Sequence, residues 1–217
     1  MTEPTRIYLV RHGETDANLN HLVAGSWDVP LNATGRQQAA AVADLMATRQ
    51  WDALYASPLS RAVETARAIG AATGLGEPIL EPRVVEQDYG TAEGMSEDEL
   101  WATYEDLDEV PGREKDAAVI ARSFEAIDDI AARHPGQDVI IVCHGGVIYW
   151  VLRTLDPTMI EWGIRNTSVH SFEHLDGALT LVKYDDPLEV EALATAGGEF
   201  VEQNPAAPEN DPGAVGR

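Results

Sequence analysis

Short apolar segments alternate with longer amphipathic segments along this chain, and this alternation limits its fold more than any other feature. Ile7–Val10, Asp52–Ala56 and Asp138–Cys143 have the length and apolar content of buried strands. Each is followed by a segment whose apolar residues recur at helical spacing. Strands that alternate with helices form a mostly parallel sheet with helices on both faces. The fold class is therefore predicted to be α/β, as a three-layer α/β/α sandwich.

Capping patterns predict where two of the helices begin and end. Thr34 and Gln37 have capping-box spacing, which favours a helix from about residue 35 to residue 49. Ser57–Pro58 is typical of an N-cap followed by proline at the first helical position. Gly74 is a typical stop for the helix that Ser57 would begin.

The last apolar segments favour a different local structure. Thr167–Leu175 and Leu179–Tyr184 flank Asp176–Gly177, a dipeptide typical of tight hairpin turns. We therefore expect at least one antiparallel strand in the otherwise parallel sheet. Upstream, Ser96 and Glu99 form a second capping-box pattern, which predicts a short helix.

The charge of the chain excludes several functional classes. Lys and Arg number 15 and Asp and Glu number 37, so the formal net charge is −22. Non-specific binding to nucleic acid or to anionic lipid depends on cationic side chains, so neither is an expected partner. An anionic substrate would need a local positive site that overcomes the negative electrostatic field of the chain.

The cysteine count, the apolar runs and the composition of the two ends of the sequence indicate the compartment and the domain organisation. Cys143 is the single cysteine, which excludes a disulfide framework and favours the reducing cytoplasm. The first residues do not resemble a signal peptide, and no apolar run is long enough for a membrane span. We expect one catalytic domain over residues 1–185. Residues 186–217, rich in acidic side chains, are expected to form a mobile tail.

Three segments with basic side chains follow predicted strands. They are Arg11–Gly13, Ser57–Arg61 and His144–Gly146. In open α/β sheets the carboxyl ends of parallel strands meet at one edge, where ligands bind. Two guanidinium groups and two imidazoles at that edge suit a dianion such as a phosphate ester, because arginine offers paired donors to phosphate oxygens.

These segments resemble the motifs of a known family. Leu9–Thr15, with the sequence LVRHGET, resembles the signature of the histidine phosphatase superfamily, which includes the cofactor-dependent phosphoglycerate mutases. The resemblance extends in order along the chain from about residue 5 to residue 184. The further matching positions are Asn18, Ser57–Ala66, Glu86 with Gly90, Glu93 and Gly94, and Cys143–Gly146. The resemblance implies a phosphoglycerate mutase-like fold.

The resemblance also implies a role for each motif. His12 attacks phosphorus and becomes a phosphohistidine, and Glu86 protonates the departing oxygen and later activates water. Ser26 or its backbone contacts substrate, although simple loop packing remains an equal alternative. The side chains implied to hold the phosphoryl group are Arg11, Asn18, Arg61 and His144.

Several nearby residues receive a simpler interpretation. His21 is expected to be a packed or surface histidine, as is usual for a lone histidine, although its position in the loop after the first motif sets it apart from the others. Arg67 is predicted to face away from Arg61, because the two are six positions apart on a helix. Glu93 is expected to be structural, and Asn166–Ser168 is expected to brace the site.

The residues leave three functions open. The leading one is a phosphomonoester hydrolase that needs no metal or cofactor, because the arginines neutralise the phosphoryl charge. A phosphomutase is the alternative, but residues 111–116 offer only Arg113 and Lys115 to grip a second acidic group. A non-catalytic phospho-ligand binder is the third. We expect a small-molecule phosphomonoester as partner, and a monomer or a homodimer.

Apolar and aromatic side chains at the mouth of the site would suit an organic group on the substrate. The residues predicted to line the mouth of the site are Val23, Trp27, Tyr89, Met95, Trp101 and Tyr104.

Overall fold

The computed structural model describes residues 3–158, 163–186 and 188. Its strands are β1 (Thr5–Arg11), β2 (Ala53–Ala56), β3 (Ile79–Leu80), β4 (Asp138–Cys143), β5 (Val169–Leu175) and β6 (Ala178–Lys183). Its α-helices are α1 (Asp16–Leu19), α2 (Ala33–Met46), α3 (Ser60–Thr73), α4 (Glu97–Thr103), α5 (Asp116–Arg133) and α6 (Gly145–Leu155). Short 3₁₀ turns cover Pro82–Val84, Gly90–Ala92 and Leu107–Glu109.

The described strands form one sheet in the order β3-β2-β4-β1-β5-β6. The first four run parallel to one another, whereas β5 pairs antiparallel with β1 and β6 pairs antiparallel with β5. Strand β1 is central, so that Leu9 lies between Ile141 of β4 and His170 of β5. The prediction of a mostly parallel sheet with an added antiparallel hairpin is confirmed.

Alternation along the central strands divides the core into two layers. Ile7 and Leu9 are fully buried against α5 and α6, and Tyr8 and Val10 are buried against α2 and α3. Each fully buried side chain of this size contributes roughly 1.5–3 kcal/mol relative to an exposed one. The three-layer architecture is thus a consequence of period-two burial on a sheet covered on both faces.

Two predicted helix starts are wrong. Helix α2 begins at Ala33 because the side chain of Asn32, not that of Thr34, accepts the hydrogen bond from the amide of Gly35 at 2.8 Å. Helix α3 begins at Ser60, and its N-cap position, Leu59, provides no side-chain cap. The predicted stop at Gly74 is confirmed, since this residue has a left-handed φ of 80°.

Replacing Asn32 with alanine should lower the free energy of unfolding by about 1 kcal/mol, because the first turn of α2 loses its side-chain cap. Thr34→Ala is the matched control and should change stability little. Urea denaturation of both variants measures the difference. Equal losses would contradict the assignment of Asn32 as the cap.

The hairpin and the short helix are confirmed. Asp176 and Gly177 have φ values of 52° and 79°, which a two-residue turn of type I′ requires, and they join β5 to β6. The Ser96 hydroxyl and the Glu99 side chain form the predicted capping box of α4.

The division into a domain and a tail stays a prediction. The proposed tail, residues 186–217, lies outside the described residues except for positions 186 and 188. Among the helices of the described part, none is both long enough and apolar enough to cross a lipid bilayer.

Candidate active site

A cleft opens where β1, β2 and β4 end. It is lined at its inner end by Arg11, His12, Arg61 and Glu86, and it encloses a space of about 650 Å³ that is partly open to solvent. The topology therefore brings three segments that are distant in the sequence to one cleft, as the strand-end argument predicted.

His12 follows β1 directly and is 3% exposed. Its Nδ1 atom lies 2.6 Å from the carbonyl oxygen of Gly13. A carbonyl oxygen can only accept a hydrogen bond, so Nδ1 carries the proton and Nε2 keeps its lone pair. This tautomer leaves His12 with a nucleophilic nitrogen.

Burial and neighbouring cations keep both imidazoles neutral. Desolvation lowers the pKa of His12 well below 6.5, and the charges of Arg61 and Arg11 lower this pKa further. The pKa of His144 is lowered in the same way, first by burial and then by Arg61. The two rings lie 5.1 Å apart between centroids. A neutral His12 is the form that can attack an electrophile.

Arg61 is held rigidly by three of its own hydrogen bonds. Its Nε donates to Nδ1 of His144 at 3.3 Å, and its two terminal nitrogens donate to the carbonyls of Trp27 and Gly25 at 2.8 and 2.7 Å. A guanidinium has five N–H donors. Two donors of Arg61 therefore remain for an anion, at a side chain that is 1% exposed.

His144 is fixed through both of its ring nitrogens. Because Arg61 can only donate, Nδ1 of His144 is the acceptor, and Nε2 carries the proton toward the hydroxyl of Ser57 at 2.7 Å. A direct bond from His144 to a phosphoryl oxygen would thus require one of these bonds to exchange. The implied phosphoryl contact of His144 stays a prediction.

Arg11 is anchored from the segment that precedes β5. Its guanidinium donates to the carbonyl of Ile164, and its own carbonyl accepts from the amide of Thr167 at 3.1 Å. Asn166 donates to the carbonyl of His12 at 3.0 Å. These contacts agree with the expectation that residues 166–168 brace the site.

The Glu86 carboxylate lies at the first turn of α6. Its oxygens accept from the amides of Gln87 at 2.9 Å and Gly146 at 3.1 Å. Glu86 thereby reaches the same cleft as His12, Arg11 and Arg61. Burial lowers the pKa of the Arg11 guanidinium to about 10, and the charge of Glu86 opposes part of this shift.

If Glu86 has the catalytic role that the resemblance implies, replacing Gly146 with alanine should lower kcat by up to about 100-fold, because small displacements of such a group are costly. An added Cβ would lie 2.4 Å from Oε1 of Glu86, so the carboxylate must move. The matched control is Gly145→Ala, whose Cβ would make only van der Waals contact, with Nε of Arg11 at 3.4 Å as its nearest atom. Steady-state turnover measures kcat, and thermal unfolding checks the fold. A Gly146→Ala enzyme with the kcat of Gly145→Ala would contradict this placement of Glu86.

Asn18 also lines the cleft. Its side-chain oxygen accepts from the backbone amide and the hydroxyl of Thr15 at 3.1 and 3.0 Å. Its Nδ2 donates to no described residue, so this amide group can still donate to an acceptor.

Ser26 is exposed and does not line the cleft. Its amide and hydroxyl donate to the Glu93 carboxylate at 2.6 and 3.1 Å. Glu93 also accepts from the amide of Tyr89 at 3.2 Å, so it ties two loops together as expected of a structural residue. Substrate contact by Ser26 stays a prediction without support from this geometry.

Two of the six predicted mouth residues, Val23 and Tyr89, line the cleft. Trp27 is 49% exposed and contributes its carbonyl to Arg61. The side chains of the other three predicted mouth residues pack against a small hydrophobic cluster. They are Met95, Trp101 and Tyr104.

Sequence reasoning missed three residues that support the site. Ser57 was interpreted as a helix cap, but its hydroxyl bonds to His144. The Thr65 hydroxyl accepts from the amide of Gly13 at 3.1 Å. Arg122 donates to the carbonyls of residues 83, 85 and 86, which fixes the backbone that carries Glu86. The position of Ser57 directly after a strand was the one available signal.

The described residues contain no group of three or more His, Cys, Asp or Glu side chains arranged to hold a metal ion. Cys143 is a buried thiol whose pKa is raised by burial and by Glu86. It packs into the core on the α5 and α6 side.

Comparison with known proteins agrees with this geometry. The chain is similar to the uncharacterized phosphatase PhoE of Bacillus subtilis, with 34% identity over 185 residues that cover 83% of this chain and 94% of that protein. It is similar to the metal-independent phosphoserine phosphatase of Arabidopsis thaliana, with 32% identity over 181 residues, or 78% of this chain and 76% of that protein. Proteins named as phosphoglycerate mutase-like also match.

Solved structures and family models point the same way. The structure of Bacillus stearothermophilus YhfR has a TM-score of 0.76 and 29% identity, and the match covers 85% of this chain and 100% of that one. The family model of the histidine phosphatase superfamily (branch 1) matches residues 7–187. That range contains every motif gathered in the cleft. The chain belongs to the histidine phosphatase superfamily.

Proposed function

We propose that this enzyme hydrolyses phosphate monoesters through a phosphohistidine at His12. The observation that carries the proposal is the hydrogen bond from Nδ1 of His12 to Gly13, which leaves Nε2 unprotonated beside Arg11 and Arg61. A neutral nucleophile between two cations suits a phosphoryl group better than any uncharged substrate.

In the first step, Nε2 of His12 forms a bond to phosphorus while the ester P–O bond breaks. Glu86, in its protonated form, gives its proton to the departing alkoxide oxygen. The two remaining donors of Arg61, together with the Arg11 guanidinium, stabilise charge on the equatorial oxygens. The released alcohol then leaves, and the phosphoryl group stays on His12.

In the second step, water replaces the alcohol. The Glu86 carboxylate accepts a proton from that water, whose oxygen bonds to phosphorus as the N–P bond breaks. Inorganic phosphate leaves and Glu86 is protonated again. The reaction balances without an added acid, base or redox partner.

A phosphomutase would return the phosphoryl group to a second hydroxyl. Such an enzyme must also grip a second acidic group, and the two candidate cations of residues 111–116 are already paired. Arg113 contacts Asp116 and Asp108, and Lys115 lies 2.9 Å from Asp108. This pairing favours transfer to water.

The partner that we propose is a small phosphorylated molecule, with nucleic acid and membranes disfavoured by the acidic net charge. The cytoplasm remains the proposed location, on the evidence of the single cysteine. A monomer and a homodimer both remain open.

Phosphate release from a panel of monoesters, measured with a chelator present, tests the proposal. We expect turnover that is unaffected by the chelator. Transfer of phosphate to a second hydroxyl in place of release would favour the mutase. Loss of turnover in the chelator, restored by a metal ion, would contradict the metal-independent mechanism.

A further inference from the structure

We propose that Glu97 and His21 form a subsite for a positively charged group at the mouth of the cleft. The enzyme would then prefer phosphate esters of amino alcohols to phosphate esters of hydroxy acids. This inference rests on the proposed function, because it concerns the organic part of the same substrate.

The backbone brings these two residues together. The segment around His21 runs antiparallel to the segment that begins α4, with a bridge between Leu22 and Ser96. The amide of Glu97 donates to the carbonyl of His21 at 3.2 Å. Both residues line the cleft. They therefore lie at one position on its rim.

Both side chains are available to a ligand. Within the described part of the chain, neither the Glu97 carboxylate nor the His21 imidazole forms a hydrogen bond or an ion pair. The neighbouring Glu99 differs, because its carboxylate is used in the capping box with Ser96. A carboxylate offers acceptors to an ammonium group, and an imidazole nitrogen that carries no proton offers one more.

The backbone of His21 is also unusual. Its φ of 53° lies in the left-handed region, which residues other than glycine seldom occupy. Such conformations concentrate at functional sites. Here the turn directs the carbonyl of His21 to the first residue of α4, so a backbone hydrogen bond holds this part of the rim in place.

Within the described part of the chain, a second anionic group on the substrate would meet no lysine or arginine at this rim. Among the described residues, the lysines and arginines that line the cleft are Arg11 and Arg61, both at its inner end. The charge of the phosphoryl group neutralises them. A carboxylate on the substrate would instead approach the unpaired Glu97, and repulsion between like charges would weaken binding.

The test compares three esters that differ in one terminal group. They are 2-aminoethyl phosphate, 2-hydroxyethyl phosphate and phosphoglycolate, and their three-carbon homologues extend the reach toward the rim. The kcat/KM for the amine should exceed the kcat/KM for the carboxylate by about tenfold, which is typical of one partly solvated charge pair.

Charge reversal should change this ratio. Glu97→Lys should lower the amine-to-carboxylate ratio by at least about tenfold, and His21→Ala should lower kcat/KM for the amine. Asp98→Lys is the matched control, because it makes the same change in net charge at an exposed neighbour that does not line the cleft. It should alter the ratio by less than about twofold.

Two results would overturn the subsite. One is a wild-type enzyme that prefers phosphoglycolate to the amine. The other is an equal effect of Glu97→Lys and Asp98→Lys, which would assign selectivity to the overall field. The amine-to-carboxylate preference can also be measured as a ratio of Kd values by calorimetry on His12→Ala, and this measurement does not depend on turnover. Failure of the proposed function would instead appear as absent hydrolysis of all three esters.

Discussion

Replacing His12 with alanine should reduce phosphate release by at least about 10⁴-fold, because the side chain that forms the covalent bond is removed. The residual arginines would still bind the phosphoryl group, so the KM or Kd of the substrate should change far less than kcat. Rapid-quench experiments with labelled substrate should detect an acid-labile phosphoryl group on the wild-type enzyme and none on the variant.

The control for this experiment is another histidine of the chain. His174 of β5 lies beside Thr5 at the start of β1, the end opposite to His12, and it pairs with Asp128 of α5. His174→Ala should retain both turnover and the phosphoenzyme. If His12→Ala were to hydrolyse esters at the wild-type rate, water would have to attack phosphorus directly and the phosphohistidine mechanism would be wrong.

The second large effect concerns Glu86. Glu86→Gln should lower kcat for alkyl phosphates by about 10²–10⁴-fold, because glutamine cannot give a proton to a poor leaving group. The effect on p-nitrophenyl phosphate should be much smaller in the phosphorylation step, since this leaving group departs without protonation. Steady-state and burst kinetics on both esters separate the two steps.

Asp88 provides the comparison for Glu86. It lies two positions away and accepts a hydrogen bond from the amide of Gly90 at 2.7 Å, a role that asparagine can keep. Asp88→Asn should therefore leave kcat for alkyl phosphates nearly unchanged. An equal loss of kcat for alkyl and nitrophenyl esters in Glu86→Gln would show that Glu86 positions other groups of the site and does not transfer the proton.

Part of the site was predictable because its residues follow strands directly. The apolar run before Arg11 and His12 defines a strand, and so does the run before His144. Parallel strands in one sheet end at the same edge, so these three side chains had to converge once the strands were recognised. The hairpin around Gly177 was predictable for a similar local reason, since its turn needs positive φ angles.

Helix starts and the cleft mouth were not predictable in the same way. Thr34 and Ser57 both have good capping sequences, but neither caps a helix in the structure. Asn32 takes the place of Thr34 because its side chain reaches the amide of Gly35, and the Ser57 hydroxyl bonds to His144 instead. Competing hydrogen bonds from distant parts of the chain decided these positions.

The sequence by itself therefore determined the order of strands and helices, the two buried faces of β1, and the motif residues at the strand ends. Tertiary structure alone decided how those residues are held. The carbonyls of Gly25 and Trp27 orient Arg61, and an amide of α6 binds Glu86. Strand periodicity depends on neighbours within a few residues, whereas these hydrogen bonds join groups that only the folded chain brings within 3 Å or so of each other.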